Sequence, residues 1–364
     1  MTWITHGRNA GRTKHRTLAG AAMALAAAAG LTLGLVSPAS ADVIPPADTA
    51  TNGIGGPSNN WPDALVKGTF NNGAAPIGTN DYSCKPSEKH PRPVVLLHGT
   101  WMNAYNSFSG IGPVLKEEGY CLFTLNYGHN VLTNRGGAAA PIPGVFGTRP
   151  VEESAKQVAT FVDAVLAGTG ADKVDIIAHS QGSLVAMQYM KFEGGKDKVA
   201  NHIALSGTHN GTSLLGIGDL NRFIGRAINI DPLLDWIVGV AGIQQVYDSP
   251  VLLNLWDGPA TFDGINYTII GSKWDEIVTP WEITFIPENQ GGNVNNVRIQ
   301  DHCSVDFSDH LSMQYSPFVF DVVKNALDPE GFPADQIKCS PHAWLGGESD
   351  GGFGGIREVG GNGS

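Results

Sequence analysis

Ala178, His179, Ser180, Gln181 and Gly182 form a small-x-Ser-x-Gly pentapeptide in which a serine hydroxyl could serve as a nucleophile. It follows an apolar run, Val174 to Ile177, and precedes an amphipathic one, Leu184 to Met190, so the local reading is strand, sharp turn, helix. Small residues two before and two after a serine let strand and helix backbones nearly touch, which pushes the hydroxyl out at the carboxyl edge of a sheet. Glycine is the usual first residue of such an elbow, and Ala178 departs from it by one methyl group at a position that demands smallness.

A serine nucleophile needs a base, an acid to orient that base, and donors for the oxyanion of a tetrahedral intermediate. Donors are expected from the backbone N–H groups of Thr100, in the His98-Gly99-Thr100 turn after an apolar run, and Gln181, directly after the serine. Asp275 lies just past another apolar run, in Asp275-Glu276-Ile277-Val278, and is the candidate acid, with Glu276 its rival. Two histidines compete as base, His302 and His310. His310 is preferred, because a base needs several residues of loop to swing over the sheet edge. His98 reads as a brace of its own loop and His179 as packing beneath the site, while His209 and His342 fall outside the required chain order.

The elements that must position these groups alternate. Strand-like runs at Val94–Leu97, Leu122–Leu125, Val174–Ile177, His202–Leu205, Tyr267–Ile270 and Val297–Gln300 are interleaved with helical patterns. In Val151–Leu166 the residues Ala155, Val158, Val162, Val165 and Leu166 fall on one helix face. Such alternation implies right-handed crossovers, a mostly parallel doubly wound sheet and a site at the carboxyl ends of its strands. An insertion, Gly207–Gly264, with apolar helix candidates at Leu220–Ile230 and Leu233–Val246, is the candidate cap or lid of an apolar pocket. Asp42 to about Asp81 is rich in Gly, Pro, Asn and Thr and reads as an N-terminal arm. From Gly346 onward the chain is a Gly-rich tail too polar to bury a core. No internal repeat is visible.

The first 41 residues carry Arg8, Arg12, Lys14 and Arg16, no acid, an Ala/Leu/Gly run from Leu18 to Val36 and then Pro38-Ala39-Ser40-Ala41. This pattern is a secretory signal with cleavage after Ala41, the alternative being an uncleaved anchor. Removing those four cations leaves 19 Lys and Arg against 34 Asp and Glu, a formal charge of −15, which excludes nucleic acid as an expected partner. No cysteine precedes Cys84, so an N-terminal lipid anchor on cysteine is not expected. Four cysteines in an exported chain read as two disulfides with three connectivities open. Cys84 with Cys121 and Cys303 with Cys339 is favoured because each pair staples a local loop. No Cys-x-x-Cys spacing supports a zinc site.

In these motifs and their order the chain resembles the secreted bacterial lipases and esterases of the lipase class 2 family and, more distantly, the fungal lipase B group. The residues that carry the resemblance are His98-Gly99-Thr100, Ala178-His179-Ser180-Gln181-Gly182, Asp275-Glu276-Ile277-Val278 with Pro280, and Asp309-His310, within roughly Asp81 to Cys339. Alanine at the first elbow position also occurs in small bacterial lipases. The resemblance implies an α/β-hydrolase fold, a Ser180–Asp275–His310 triad, oxyanion donors Thr100 and Gln181, with the Thr100 hydroxyl as a further donor in the manner of the fungal group, and the same two disulfides. It implies a secreted carboxylester hydrolase acting through an acyl-enzyme on acylglycerols or other water-insoluble esters, in transient contact with a lipid interface, without cofactor or metal, and as a monomer. An extracellular acyltransferase or polyester depolymerase shares that machinery, and a non-catalytic binding protein on the same scaffold is the rival outside enzymes.

Overall fold

Five largely apolar runs of three to seven residues and one polar edge run pair to form the frame of the molecule. The computed structural model describes residues 52–71, 73–213, 231–287 and 290–344. In chain order the regular elements are β1 (Asn52–Gly55), α1 (Trp61–Thr69), β2 (Ala74–Pro76), β3 (Val94–Leu97), α2 (Ala104–Phe108), α3 (Ile111–Glu117), β4 (Leu122–Thr124), α4 (Val151–Thr169), β5 (Val174–His179) and α5 (Gln181–Phe192). They continue as β6 (Val199–Leu205), α6 (Asp231–Gln244), α7 (Pro250–Leu255), β7 (Asn266–Gly271), β8 (Asn293–Arg298), α8 (Ile299–His302) and α9 (Pro317–Leu327). The six-stranded sheet has the order β4-β3-β5-β6-β7-β8, and every pairing in it is parallel.

Period-two alternation sorts strand side chains onto two faces, both covered, as an all-parallel sheet requires. Val95, Leu97, Phe123, Ile176, Ala178 and Ile269 pack with α4, α5 and α7 on one side. Val94, Leu96, Leu122, Ile177, Ile203 and Ile270 pack with α3 and α9 on the other. Helix α4 extends three residues past the predicted Leu166 and stops at Gly170, whose left-handed φ of 78° lets its N–H reach Leu166 O. Its first N–H, on Val151, is capped from a distance by Gln244 Oε1 at 2.8 Å, while Gln244 Nε2 donates to Glu152 Oε2 at 2.8 Å.

Two sequence expectations need correction. The strand expected at Val297–Gln300 lies earlier: β8 begins at Asn293 and ends at Arg298, so only Val297 and Arg298 of that run are in it, and Ile299–His302 turns into a short helix. An edge strand with mostly exposed asparagines lacks the apolar signature of its buried neighbours. The helix expected at Leu233–Val246 runs Asp231–Gln244 and is broken at Gly239, where φ is 76° and ψ is 169°. The Leu220–Ile230 helix candidate, the leader Met1–Ala41 and the tail from Gly346 lie outside the described residues. Of the N-terminal arm, the described part folds into β1, α1 and β2. It also closes the outer edge of β4: Asn80 N donates to Leu122 O at 2.8 Å, and the Asn80 side chain exchanges bonds of 2.8 and 2.9 Å with Thr124 N and O.

At the amino ends of the strands, opposite the elbow, a chain of side-chain bonds crosses four strands. Arg92 Nε (2.8 Å) and Asn201 Nδ2 (2.9 Å) donate to the buried Asp175 Oδ1, Asn266 Nδ2 donates to Asn201 Oδ1 at 2.9 Å, and Asn293 Nδ2 donates to Asn266 Oδ1 at 3.1 Å. Each asparagine is the register partner of the preceding residue. The disulfides Cys84–Cys121 and Cys303–Cys339, with Cα separations of 5.8 and 5.0 Å, are the pairs favoured from sequence. In a chain-entropy account each closes a loop worth about 4 kcal/mol before any offset from strain.

The side-chain ladder makes a prediction. Asp175→Ala strands a buried amide and should lower unfolding free energy by about 2–3 kcal/mol, read as a fall in urea midpoint at constant m-value. Asp175→Asn, which keeps an acceptor, should lose clearly less, and equal losses in the two variants would refute the ladder's role.

Candidate active site

Where β5 meets α5, Ser180 adopts φ 54° and ψ −123°, a region that a residue with a side chain enters only at a cost of about 1–3 kcal/mol. Ser180 N donates to Leu205 O at 2.9 Å, and Ser183 N and Thr208 N donate to Ser180 O at 3.1 and 3.3 Å. Glycine at 182 is compulsory, because a Cβ there would lie 2.3 Å from Leu97 O and 2.8 Å from His98 O. Ala178, fully buried between Leu97 and Ala204 in register, satisfies the requirement for smallness with its methyl in place.

The turn after β3 lies directly against this elbow. A Cβ on Gly99 would be 3.0 Å from Ser180 Cβ, and one on Gly147 would be 2.8 Å from Gln181 Oε1, 2.8 Å from Gly99 O and 3.2 Å from Thr100 Cα. Thr100 and Gln181 therefore flank Gly147 beside the serine. Behind them the fully buried His98 stacks on Tyr127 with ring centroids 4.2 Å apart, its Nδ1–H donating to Gly99 O at 2.8 Å, while the Tyr127 hydroxyl donates to His98 O. His98 is a brace, as the sequence suggests.

Asp275 and His310 meet over the sheet edge. His310 Nδ1 lies 3.0 Å from Asp275 Oδ2, and the other carboxylate oxygen accepts from Ile277 N at 2.9 Å and Val278 N at 2.8 Å. A carboxylate only accepts, so Nδ1 carries the hydrogen and the neutral ring presents a lone pair at Nε2. Burial on its own would lift the Asp275 pKa, but the imidazolium charge, the His310 hydrogen bond and the backbone donors outweigh it and hold the carboxyl below its ordinary value. Burial likewise opposes charge on His310, yet Asp275 reverses the balance and raises its pKa above that of a free imidazole.

The loop that carries His310 is braced on both sides. Asp306 Oδ1 accepts from Ser308 N at 2.8 Å and its Oδ2 from the Ser316 hydroxyl at 2.6 Å. Asp309 Oδ1 accepts from Leu311 N at 3.0 Å and Ser312 N at 2.8 Å. From beneath, His179 Nε2–H donates to His310 O at 2.8 Å. Glu276, the rival acid, does not reach the imidazole of His310 but accepts from its backbone N at 3.3 Å, and burial raises its pKa. His302 is exposed at the end of α8 and stacks on Phe318, with ring centroids 6.5 Å apart. His209 bonds Ser183 Oγ at 2.8 Å, and His342 Nε2 bonds Ser312 O at 3.0 Å. Among the described residues, no group of three or more His, Cys, Asp or Glu is arranged to hold a metal ion.

Sequence reasoning missed Gln245. Buried at the end of α6, it donates through Nε2 to Thr100 Oγ1 at 2.8 Å and Ala241 O at 2.9 Å and accepts through Oε1 from Thr208 Oγ1 at 3.0 Å. Nothing in its spacing from Thr100, 145 residues away, announces this contact.

Residues 91–222 match the sequence model of the family described as Lipase (class 2). That segment is similar to the class 2 lipase family. It holds β3 through β6 with Thr100, Ser180 and Gln181 and ends before Gln245, Asp275 and His310. The structure is similar to that of lipase B from Aspergillus fumigatus (18% identity, TM-score 0.51), covering 73% of this chain and 60% of that one. The chain thus spans about 60% of the length of that fungal lipase. It also aligns with Est1E of Butyrivibrio proteoclasticus, solved with ferulic acid bound (15% identity, 70% of this chain and 93% of that one, TM-score 0.43). A lipase from Bacillus licheniformis, solved in its mature form, aligns at 14% identity over 67% of this chain and 94% of that one, with a TM-score of 0.41. The parallel sheet with helices on both faces is the α/β-hydrolase fold.

The His310–Asp275 pair can be tested by its titration. In NMR spectra the His310 imidazole should titrate above the ordinary value of about 6.5, and Asp275→Asn should lower it, because burial is then opposed only by the smaller effects of Glu276 and Asp309. A wild-type His310 titrating below 6.5 would show that the carboxylate does not govern the ring.

Proposed function

We propose that this chain is a secreted serine carboxylester hydrolase, a lipase or esterase that acts through an acyl-enzyme on Ser180. The observation that carries the reading is the buried Asp275–His310 pair, 3.0 Å apart, on loops at the same carboxyl edge of the sheet as the strained Ser180. Ser180 Oγ attacks the ester carbonyl while His310 Nε2 takes its proton, and Asp275 stabilises the imidazolium that forms. The backbone N–H groups of Thr100 and Gln181 receive the oxyanion. His310 then returns the proton to the leaving alcohol, and water deacylates Ser180 by the same steps in reverse.

A water-insoluble ester such as an acylglycerol fits what surrounds the oxyanion turn. The loop from Val131 to Gly147 and α6 are joined by Val240 N to Arg135 O at 2.7 Å and Ala138 N to Ile237 O at 3.2 Å. They expose Val131, Leu132, Ile142, Trp236 and Ile237, with Trp236 58% accessible. Export is supported by the two disulfides, and among the described residues no helix is long and apolar enough to cross a membrane.

Hydrolysis of p-nitrophenyl esters from acetate to palmitate, with emulsified triacylglycerol alongside, tests the activity and its chain-length range. Ser180→Ala should abolish turnover with the fold intact, and a phosphonate probe should label wild type at Ser180; labelling of another serine would overturn the assignment. His310→Ala should be nearly inactive yet folded and His302→Ala close to wild type, with the reverse pattern moving the base to His302. Asp275→Asn should lose several orders of magnitude, by analogy with roughly 10⁴ in the serine-protease triad.

The pH dependence has a definite sign. The base must be neutral, and Asp275 raises its pKa, so kcat/KM should fall as pH drops through a value above about 6.5 rather than below it. An acid limb below that value would point to a different titrating group.

A further inference from the structure

Gln245 is a fully engaged amide in a wall that bears directly on the oxyanion turn. Ala241 O can only accept, so the group facing it must be Nε2, and that fixes which end of the amide meets Thr100. The second Nε2 hydrogen therefore goes to Thr100 Oγ1, at 2.8 Å, and Oε1 is left for the Thr208 hydroxyl at 3.0 Å. Thr100 Oγ1 is thereby held as an acceptor, and its own hydrogen points away from Gln245. Thr208 also donates its backbone N–H to Ser180 O at 3.3 Å, so the same three residues span the oxyanion turn, the end of α6 and the elbow. Isolated in the buried end of α6, an amide with no such partners would cost free energy.

We infer that Gln245 is a positioning residue for ester hydrolysis: by donating to Thr100 Oγ1 it turns the threonine hydroxyl hydrogen toward the oxyanion, beside the backbone N–H groups of Thr100 and Gln181. The inference deepens the serine-hydrolase reading and rests on it. Donors aimed before the reaction at the position where charge develops cost no reorganisation in the transition state. Without Gln245 the hydroxyl rotates freely, and Thr208 loses its acceptor. The wall of the cap and the catalytic turn are in this way coupled through one side chain.

The test is a double-mutant cycle on p-nitrophenyl butyrate hydrolysis with Gln245→Ala, Thr100→Val and the pair. Each single variant should lower kcat with little change in KM, Gln245→Ala by about ten- to a hundredfold, no more than the loss expected for a whole oxyanion donor. In the Thr100→Val background, Gln245→Ala should cost no more than about a further twofold, since the hydroxyl it orients is gone. Inhibition by a trifluoromethyl ketone, which forms the tetrahedral adduct on the serine, should weaken in parallel with kcat/KM. Gln245→Glu, whose carboxylate accepts from Thr100 and turns the hydrogen the wrong way, should be at least as impaired as Gln245→Ala and gives a second reading if the alanine variant folds poorly.

Losses that multiply independently in the double variant, or a Gln245→Ala enzyme with unchanged kcat and ketone affinity, would overturn the role of Gln245. Ser180→Ala run alongside separates the two levels. If it is inactive while the cycle shows no coupling, only the Gln245 assignment fails; if it still turns over, the serine-hydrolase reading fails and takes this inference with it.

Discussion

The approach of helix α5 to strand β3 is so close that the carbonyl oxygens of Leu97 and His98 occupy the place a side chain at 182 would need. Three consequences meet at that contact. Helix α5 starts immediately after β5, Ser180 is forced into a left-handed conformation at the junction, and the turn that follows Leu97 and His98 is brought against the serine. The strain is met by bonds on both sides of the residue, from Ser180 N to Leu205 O at 2.9 Å and from Ser183 N and Thr208 N to Ser180 O. These are ordinary backbone groups of neighbouring elements, so the conformation is over-determined by the sheet and the helix. Loss of Gly182 would therefore act on Ser180, the Gly99–Thr100 turn and the packing of α5 at once.

Burial also sorts the histidines by charge. His98, His179, His202 and His209 are enclosed without a carboxylate in contact, and desolvation drives their pKa values down to about 4, 3, 3 and 4. All four are neutral hydrogen-bonding groups across the physiological range. His310 is as deeply enclosed, yet its pKa moves the other way, and the difference is Asp275. The carboxylate of Asp275, itself held ionised chiefly by His310 and further by backbone N–H groups, makes the largest contribution, with Glu276 and Asp309 adding to it, and so sets one imidazole apart from four others in the same interior. The chemistry of the site is decided by which ring the carboxylate touches and not by how many rings lie near the serine.

Much of this could be read from residue types. The elbow was legible because its constraint is local: small, Ser, Gly after an apolar run and before an amphipathic one. The buried strands β3 to β7 were legible because most of their enclosed residues are apolar. Strand β8 was not, since an edge strand needs no apolar pattern, and its Asn293 ends the side-chain ladder begun at Asp175 while Asn296 exchanges bonds with Ile286 N and O. The pairing of His310 with Asp275 was favoured on loop length, but the braces that hold the ring, Asp306 and Asp309 in tight turns, appear in sequence only as an ordinary polar loop. Gln245 was invisible. It lies in a helix that reads as apolar wall, and its partner is 145 residues away, so no local rule connects them.

The N-terminal segment has an effect at the far end of the sheet. Asn80 takes up the main-chain groups of β4 that another strand would use, exchanging bonds with Leu122 and Thr124 as a neighbour in the ladder would. Exposed strand edges are templates for adding further chains. With β4 closed, among the described residues the six-stranded sheet can lengthen only at β8. If two copies joined there, each would consume the other's one remaining edge, and growth would stop at a pair. Within the six-stranded sheet, among the described residues, edge pairing then has one side to use so long as Asn80 stays in place.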